Sequence, residues 1–394
     1  MNLTSENFYL HNPGATGTAF LVVGIAGLAM SAIGFATDAA QFFHSYLTAF
    51  VFWLSISLGG LFFTMLHHLV GANWSTVLRR LSESIMMVLP LMAVLFLPVL
   101  LGISELYHWS HDDIVAADQL LQKKAAYLNI PFFVTRAVIF FAIWSTTAWL
   151  LYRLSIRQDS EHQAKMPLAS RRISAAGMLL FAITTTLAAF DWLMSLDAHW
   201  YSTIFGVYVF SGSFLAVLSF VILSALYMRR RGVLKNVISI EHFHDVGKLT
   251  FAFVIFWAYM AFSQYFLIWY GNIPEETVWF LHRWENPWRY ISLIIIFGHF
   301  VLPFVVLLTR RAKRSPLVLT IMALWILTMR WVDLHWLVLP NLHRHGPHFS
   351  WMDISTMIGV GGLFLWYFFR LWSRKALVPV NDPGLEKSIG FVNH

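Results

Sequence analysis

Residues 203–228 read TIFGVYVFSGSFLAVLSFVILSALYM, and Arg229, Arg230 and Arg231 follow directly. This run exceeds the roughly 20 mostly apolar residues that a helix needs to cross a bilayer. Nine further runs of similar character occur, so the sequence predicts ten membrane-spanning helices. The ten windows are 15–36, 46–70, 85–105, 131–152, 173–195, 203–228, 248–270, 288–309, 315–338 and 351–373.

The composition excludes a soluble protein and several kinds of site. Of the 394 residues, 58% are hydrophobic and only 12% are charged, about half the charged share of soluble domains. The chain has no cysteine, which excludes disulfides, cysteine-ligated iron–sulfur clusters, zinc–thiolate sites and c-type haem attachment. Its aromatic residues do not interleave with Lys and Arg as in a nucleic-acid groove, so we expect no nucleic-acid partner.

Lysine and arginine predict the orientation. The chain ends and the loops after windows two, four, six and eight hold 20 of the 27 basic residues, including Arg79, Arg80, Lys165 and Arg374. The other loops hold five, including Arg283, and two lie inside windows. The positive-inside rule places the basic side and both termini in the cytoplasm. We therefore predict an all-α polytopic membrane protein with a single membrane domain over 1–375 and an extended cytoplasmic tail over 376–394.

Further features predict the outer side and the helix shapes. Residues 112–128 have apolar residues at helical spacing and predict a short interfacial helix with Asp112 as its cap. Pro90 and Pro98 predict kinks in helix three, and Pro303 predicts one in helix eight. The first window lacks a basic segment before it, so we expect a first span and no signal peptide. Eight tryptophans predict an outer aromatic belt: Trp109, Trp192, Trp200, Trp269, Trp279, Trp288, Trp336 and Trp351.

Ionisable residues in the spans are the main functional signal, because charges in a bilayer are costly and usually face a bundle interior or a water cavity. Arg330 and Asp333 are three residues apart and share a helix face. Arg136 needs an acidic partner, for which Asp191, Glu105 and Asp353 are candidates. Either these groups are salt bridges between helix ends or they line a polar cavity. The outer set is Glu105, Arg136, Asp191, Arg330, Asp333, His335 and Asp353, with Asp197 and His199 just beyond helix five.

A second set lies near the inner ends of the helices, and little lies between the sets. Adjacent His67 and His68 point about 100° apart on a helix, so at most one faces a given cavity well. Two polar vestibules joined by a sparse waist are typical of proton half-channels, although interfacial solvation and hydrogen-bonded core residues are alternatives. The inner set is His67, His68, Glu83, His242, His244 and Asp245, and the waist holds Thr184, Thr185, Thr186, Ser263, Gln264 and His299.

Other chemistry has less support. His299 has no mid-membrane histidine partner, so a central b-type haem is not expected. The sequence has no phosphate loop, dinucleotide fingerprint or H-E-x-x-H motif. His343, His345 and His348 resemble a metal-binding tract, but an exposed loop is the favoured interpretation. We therefore predict no metal site.

Four long motifs resemble a known family. They are FDWLMSLDAHWYS at 190–202 with the TIFGVYVFSG that follows, IFWAYMAFSQYFLIWYGNIPEE at 255–276, AYLNIPFF at 126–133 and HDVGK at 244–248. Together they resemble the ActF-type membrane subunits of alternative complex III, the bacterial quinol:electron acceptor oxidoreductase. Those subunits are related to NrfD-like, polysulfide-reductase-type membrane proteins. The resemblance extends over essentially the whole chain.

The resemblance implies two four-helix bundles plus two further helices, in the bacterial inner membrane. It implies a subunit without a redox centre, whose partners carry haem c and iron–sulfur clusters and include a sibling NrfD-like subunit and, in some complexes, a terminal oxidase. The main quinol site would belong to the sibling, while menaquinol or another quinol remains a possible ligand here. Membrane lipids are further partners. A proton-conducting role or a role in assembly is expected.

The residues that we predict for a proton path are His67, His68, Glu83, Asp191, Asp245, His299, Arg330, Asp333, His335 and Asp353. Electrostatic support is expected from Glu105, Arg136, Asp197 and His199. A purely structural scaffold is the main alternative, and it predicts tolerance of charge-neutralising changes at these positions. An independent secondary transporter is less favoured. Transporters often have broken helices at mid-membrane, and Pro and Gly near the middle of these windows are modest in number.

Overall fold

The computed structural model describes residues 8–10, 14–160, 166–285, 287–373 and 375–393. Lys165 and Arg374, which contribute to the charge count, lie outside these residues. Within them the structure is helical, and ten helices are long and apolar enough to cross a membrane. The prediction of a multi-pass all-α membrane protein is confirmed. The ten helices are α1 (Ala15–Thr37), α2 (Ala39–Val70), α3 (Thr76–Leu101), α4 (Ile130–Gln158), α5 (Met166–Leu196), α6 (Phe205–Arg230), α7 (Ile240–Gly271), α8 (Trp288–Leu307), α9 (Pro316–Asn341) and α10 (Trp351–Trp372).

Several helices extend beyond their predicted windows at their polar ends. Helix α3 begins at Thr76, so Arg79 and Arg80 lie inside a helix, and the prediction that they occupy a loop is wrong. Their side chains are nevertheless buried, because acidic residues surround them. We call the face with the loops after α2, α4, α6 and α8 the inner face, and the opposite face the outer face.

The helices pack as two four-helix bundles with one helix pair beside them. In the first bundle, α2 contacts α3 and α5, and α4 contacts the same two helices. In the second, α6 contacts α7 and α9, and α8 contacts the same two. Helices α2 and α6 join the bundles. This arrangement matches the predicted two bundles plus two helices.

Helices α1 and α10 form the additional pair and pack closely along glycines. A Cβ atom on Gly362 would lie 2.4 Å from the Cα atom of Gly24, and one on Gly27 would lie 2.8 Å from the Cα atom of Gly359. Small residues allow two membrane helices to approach closely enough for backbone contact. The pair is held to the first bundle through contacts with α2.

The prolines interrupt their helices as predicted. Helix α3 consists of Thr76–Met86, Leu89–Leu95 and Leu97–Leu101, with breaks before Pro90 and Pro98. Helix α8 contains a π-helical segment, Ile295–Val301, that ends just before Pro303. Proline removes a backbone donor, and π segments in α-helices occur frequently at functional sites.

The outer loops contain more structure than expected. Residues 112–128 form two short helices, Asp112–Ala117 and Gln119–Lys124, and the predicted cap is wrong. Asp118 is the residue that caps, because its carboxylate accepts from the amides of Leu120 and Leu121. The loop after α7 forms a helix that was not predicted, Pro274–Trp284. Ile103–Leu106 and His108–Ser110 are further short helices on this side, and Met194–Leu196 and Leu339–Asn341 form the 3₁₀ ends of α5 and α9. On the inner side the short helices are Arg310–Arg314 and Leu385–Ile389.

The predicted aromatic belt is largely inside the protein. Trp269 and Trp351 are exposed as expected. Trp279 lies on the helix Pro274–Trp284 and stacks on Trp200 at a centroid distance of 4.3 Å, and both rings are buried. The other buried members are Trp109, Trp192 and Trp288.

The prediction of an extended tail is wrong, because the tail folds back across the inner face. It includes the short helix Leu385–Ile389. The Asp382 carboxylate lies 2.6 Å from the Arg79 guanidinium, and the Ser388 hydroxyl donates to the carbonyl of Trp74 at 2.6 Å. The tail therefore connects the starts of α3 and α7, where Ser388 also contacts His242.

Candidate functional site

An arginine–aspartate pair lies in the second bundle, on one face of α9. The Arg330 Nη1 atom donates to the Asp333 carboxylate at 2.7 Å, and both side chains are fully buried. The predicted pair is confirmed. The other Asp333 oxygen accepts a hydrogen bond from the Tyr208 hydroxyl of α6. Arg330 also donates to the Ser55 hydroxyl of α2 at 3.3 Å, so the pair lies where the two bundles meet.

Gly212 on α6 makes room for this arginine. A Cβ atom at Gly212 would lie 2.3 Å from the Arg330 Nη1 atom. Any other residue would displace the guanidinium from its position beside Asp333. The motif FGVYVFSG therefore supplies both the Tyr208 hydroxyl and the space for Arg330.

A comparable pair lies at the outer end of the first bundle. Arg136 binds Asp191 through two hydrogen bonds, Nε to Oδ2 at 2.7 Å and Nη2 to Oδ1 at 3.0 Å. Of the three predicted partners, the structure selects Asp191, and Glu105 lies exposed. The guanidinium also donates to the Tyr127 carbonyl and lies 3.8 Å from that ring's centroid. Every contact of this pair is with protein groups that hold it fixed.

Asp353 begins a third polar cluster, between α10 and α2. Its carboxylate accepts from the Ser45 hydroxyl at 2.6 Å and from the Ser350 amide at 2.9 Å. Ser45 accepts from the Gln41 amide at 2.9 Å, and Gln41 is bonded to His343 at 2.6 Å. This chain of hydrogen bonds leads from buried Asp353 to the partly exposed outer loop. Burial lowers the pKa of His343.

His299 lies in the π segment of α8 and packs against Trp257, with 4.0 Å between ring centroids and 32° between the ring planes. It is fully buried, and neither ring nitrogen has a hydrogen-bond partner among the described residues. An unsatisfied buried polar group costs about 1–3 kcal/mol, and such groups in native proteins indicate bound water or a functional role.

The inner set forms a network around Glu83 of α3. Both oxygens of this fully buried carboxylate lie 3.1 Å from arginines, one from Arg79 and the other from Arg80. Arg80 extends the network to Asp159, at 3.0 Å. Burial raises the pKa of Asp159, and the nearby guanidinium of Arg80 opposes this shift.

Only one of the two adjacent histidines joins this network. His67 is bonded to the Ser75 hydroxyl at 2.8 Å and accepts from Arg79 at 3.3 Å. Arginine can only donate, so His67 carries its proton on Nδ1. The His68 ring is perpendicular to that of His67, and its buried Nε2 has no partner among the described residues.

The remaining candidates lie apart from these clusters. Asp245 contacts Lys248 and Asn393 at the inner face. His335 packs against the Trp331 ring at 5.9 Å. His199 binds Asp118 at 2.6 Å in the outer loops and lowers the pKa of that carboxyl. Asp197 is partly exposed and accepts from the His199 amide at 3.3 Å.

Two cavities lie near the pair in the second bundle, and they reach it through Ser55 and Tyr208, the hydrogen-bond partners of Arg330 and Asp333. A cavity of about 30 Å³ between the bundles is lined by Ser55, Thr185 and Ser213 together with apolar residues. Its volume is sufficient for a water molecule. A larger cavity, of about 420 Å³, lies within the second bundle and is lined in part by Tyr208 and Trp257.

Sequence analysis missed several partners that complete these clusters. Tyr208 escaped notice because a tyrosine in an apolar window is not unusual, although its place in the FGVY motif was a signal. Asp159 and Asp382 lie outside the windows, and nothing in the sequence connects them with Arg80 and Arg79. In the described residues no group of three or more His, Cys, Asp and Glu side chains has the geometry of a metal site.

Neither a scan of protein-family models nor a search of curated proteins gives a match to this chain.

Proposed function

We propose that this chain is a membrane subunit, without a redox centre of its own, of a quinol-oxidising respiratory complex of the alternative complex III type. The long motifs at 190–212 and 255–276 support this proposal through their resemblance to that family. The chain would lie in the bacterial cytoplasmic membrane beside a sibling NrfD-like subunit. Haem c and iron–sulfur subunits would carry the electrons.

Within that complex, we propose that the second bundle conducts protons. The observation that carries this role is the buried Arg330–Asp333–Tyr208 group, in which Tyr208 lines the larger cavity. Ser55, which accepts a hydrogen bond from Arg330, lines the smaller one. A hydroxyl passes a proton by accepting one from water and releasing its own. Tyr208 is positioned to take a proton from water in the larger cavity and release one to Asp333. Arg330 positions the carboxylate.

His299 would join the same path through water. Its two unsatisfied nitrogens require hydrogen-bond partners, and water is the smallest group that supplies them. Histidine can both accept and donate a proton near neutral pH. The inner network around Glu83 would exchange protons with the inner face, and the chain from Asp353 to His343 would face the outer side.

The membership in a complex has a direct test. A tag on this chain, gentle detergent extraction, mass spectrometry and a reduced-minus-oxidised spectrum identify what co-purifies. Haem c together with an iron–sulfur protein is the expected result. A colourless chain without partners would overturn the proposal and favour an independent transporter.

The proton role is tested in the purified complex in proteoliposomes, by the ratio of protons moved to electrons transferred. Asp333→Asn and His299→Leu should lower this ratio while the complex stays assembled. The matched controls are Asp113→Asn and His345→Leu, which change the same residue types at exposed outer positions. An unchanged ratio in both buried variants would reject the proton route.

A structural scaffold is the second candidate, and one observation favours it. Three ion pairs join separate segments of the chain, as expected of groups that fasten the structure together. They are Arg136–Asp191, Arg80–Asp159 and Arg79–Asp382. The scaffold predicts that charge-neutralising pairs of substitutions preserve both assembly and coupling.

A further inference from the structure

Residues 385–393, which we call the strap, lie across the starts of α3 and α7 on the inner face. At the start of α3, the fully buried Ser388 donates its hydroxyl proton to the Trp74 carbonyl at 2.6 Å. At the start of α7, the strap contacts two buried histidines, His242 and His244. Each of these histidines uses one ring nitrogen as an acceptor, so the protonation state of both rings matters for the strap.

His242 holds only one proton in this arrangement. The backbone amide of Ser239 donates to its Nδ1 atom at 3.0 Å, so that nitrogen carries no proton. The Nε2 atom therefore carries the proton, and it donates to the Ser388 carbonyl at 2.9 Å. A second proton, on Nδ1, would place a donor against the Ser239 amide and break the bond that caps α7.

His244 belongs to the motif HDVGK at 244–248, whose three ionisable side chains all bind one residue of the strap. The amide oxygen of Asn393 accepts from the Lys248 ammonium at 3.2 Å, and its amide nitrogen donates to the Asp245 carboxylate. The same nitrogen donates to the His244 Nδ1 atom at 3.2 Å. The motif therefore forms a binding site for a side-chain amide.

The orientation of the Asn393 amide requires a neutral His244. Turning this amide round would set its oxygen against the Asp245 carboxylate and its nitrogen against the Lys248 ammonium, which repel them. A protonated His244 has donors on both nitrogens and would meet the amide donor of Asn393. Protonation of His244 and binding of the strap therefore oppose each other.

The charged groups near the two histidines come from α7 and from the short helix after α8. They are Glu241, Asp245, Lys248, Arg310 and Arg314. Most of them are paired within the site, because Arg314 binds Glu241 and Lys248 contacts Asp245. Histidine is the side chain whose ordinary pKa puts its change of charge between pH 5 and 8. A change of pH in that range therefore acts on the strap through the two histidines.

We propose that the strap is a pH-sensitive fastener of the inner face, which binds the starts of α3 and α7 while His242 and His244 are neutral and is released when they take up protons. The bond from Asp382 to Arg79 would hold the preceding residues in place. The strap needs neither a partner subunit nor a proton path, so this inference goes beyond the proposed function.

The test is amide hydrogen exchange of the purified full chain in detergent at two pH values, about 7.5 and about 5.5, with each rate compared with the intrinsic rate at that pH. The lower value is about one unit below the ordinary histidine pKa of about 6.5. Each histidine should therefore weaken binding of the strap about tenfold, since the bound form requires it neutral. The protection of the amides over 388–391, which are hydrogen-bonded in the folded tail, should fall about 100-fold. The Leu377 amide, which donates to the Phe8 carbonyl at 2.8 Å, should keep its protection.

Two substitutions remove the titrating groups. His244→Asn places a neutral carbonyl oxygen where Nδ1 accepts, so the fall in protection should shrink to about tenfold. The double variant His242→Asn/His244→Asn should show no fall, although its protection at the higher pH is reduced by the lost bond to Ser388. The matched control is His345→Asn, the same substitution at an exposed outer position, which should keep the full fall.

The strap itself supplies a variant with little risk to folding. Asn393→Ala removes the amide that the HDVGK motif binds, so protection over 388–391 should already be reduced at the higher pH. Protection that persists at the lower pH in the original chain would overturn the proposal, and so would a fall of the same size in the double variant. A fall that includes the Leu377 amide would assign the effect to general unfolding and contradict the proposal equally.

Discussion

The two bundles each bury an arginine–aspartate pair, but the two pairs have different surroundings. Arg136 holds both oxygens of Asp191, and Tyr127 covers the guanidinium. Arg330 holds one oxygen of Asp333, and Tyr208 holds the other beside a cavity. Both oxygens of Asp191 are thus held by Arg136, whereas one oxygen of Asp333 is held by a tyrosine that lines a cavity. Burial and pairing with an arginine therefore do not by themselves identify a proton-carrying acid.

The largest expected effect comes from breaking the pair in the first bundle. Asp191→Ala leaves a buried arginine without its counter-charge, which typically costs 3–5 kcal/mol. We expect a marked fall in the melting temperature of the purified chain. The double variant Arg136→Met/Asp191→Leu removes both charges and should recover most of the stability. No recovery would mean that the pair has a role beyond fastening α4 to α5.

The same double change in the second bundle tests whether the two pairs differ in function. Arg330→Met/Asp333→Leu should also retain a stable chain, within about 1–4 kcal/mol of the original. Its complex should nevertheless move fewer protons per electron, whereas that of Arg136→Met/Asp191→Leu should keep the original ratio. Equal ratios in the two double variants would remove the functional distinction between the bundles.

A smaller effect is expected at the glycine that accommodates Arg330. Gly212→Ala places a Cβ atom against the guanidinium. Overpacking of this kind lowers the free energy of unfolding by about 1–3 kcal/mol. The displaced guanidinium should lower the proton-to-electron ratio as well as the melting temperature. Gly177→Ala is the control in the first bundle, where the Cβ atom meets the Met65 and Thr147 side chains. A loss of stability without a loss of coupling in this control would separate the two effects.

The smallest effect is expected in the loops above the first bundle. Asp118 caps a short helix and binds His199, which lowers the pKa of the carboxyl. Because the pKa of Asp118 is lower in the folded chain, its contribution to stability is present at pH values above its pKa in the unfolded chain. This contribution is lost as the pH falls through its pKa in the folded chain. The protection of the amides over 119–124 against exchange, relative to their intrinsic rates at each pH, should therefore fall in acid below about pH 4, the ordinary pKa of Asp. Asp118→Asn should remove that pH dependence and leave coupling unchanged.

The ten spans and the Arg330–Asp333 pair were predicted correctly, because apolar length and helical spacing are local signals. The bundle arrangement was implied by the family resemblance, and Asp191 was one of three candidate partners of Arg136. Sequence analysis placed Arg79 and Arg80 in a loop because hydropathy windows end where charges begin. In the structure Glu83, Asp159 and Asp382 surround these arginines, and two of those acids are far away along the chain. Contacts between distant segments leave no local pattern.

The larger cavity could not be predicted, because its wall also comes from segments that are distant along the chain. Gln264 and Tyr208 come from different helices, and the wall includes a helix that the sequence did not indicate, Pro274–Trp284. The predicted aromatic belt was wrong for a related reason. Five of its tryptophans are covered by the outer loops and by neighbouring aromatic rings. Tryptophan at a helix end is favourable both at a lipid interface and in a packed core.

A proton path through the second bundle is tested most directly by the proton-to-electron ratio of the complex that carries Arg330→Met/Asp333→Leu, measured in proteoliposomes beside the complex that carries Arg136→Met/Asp191→Leu. We expect a lowered ratio for the first and an unchanged ratio for the second, at similar assembly. An unchanged ratio in the first would exclude this proton path and leave the chain as a scaffold.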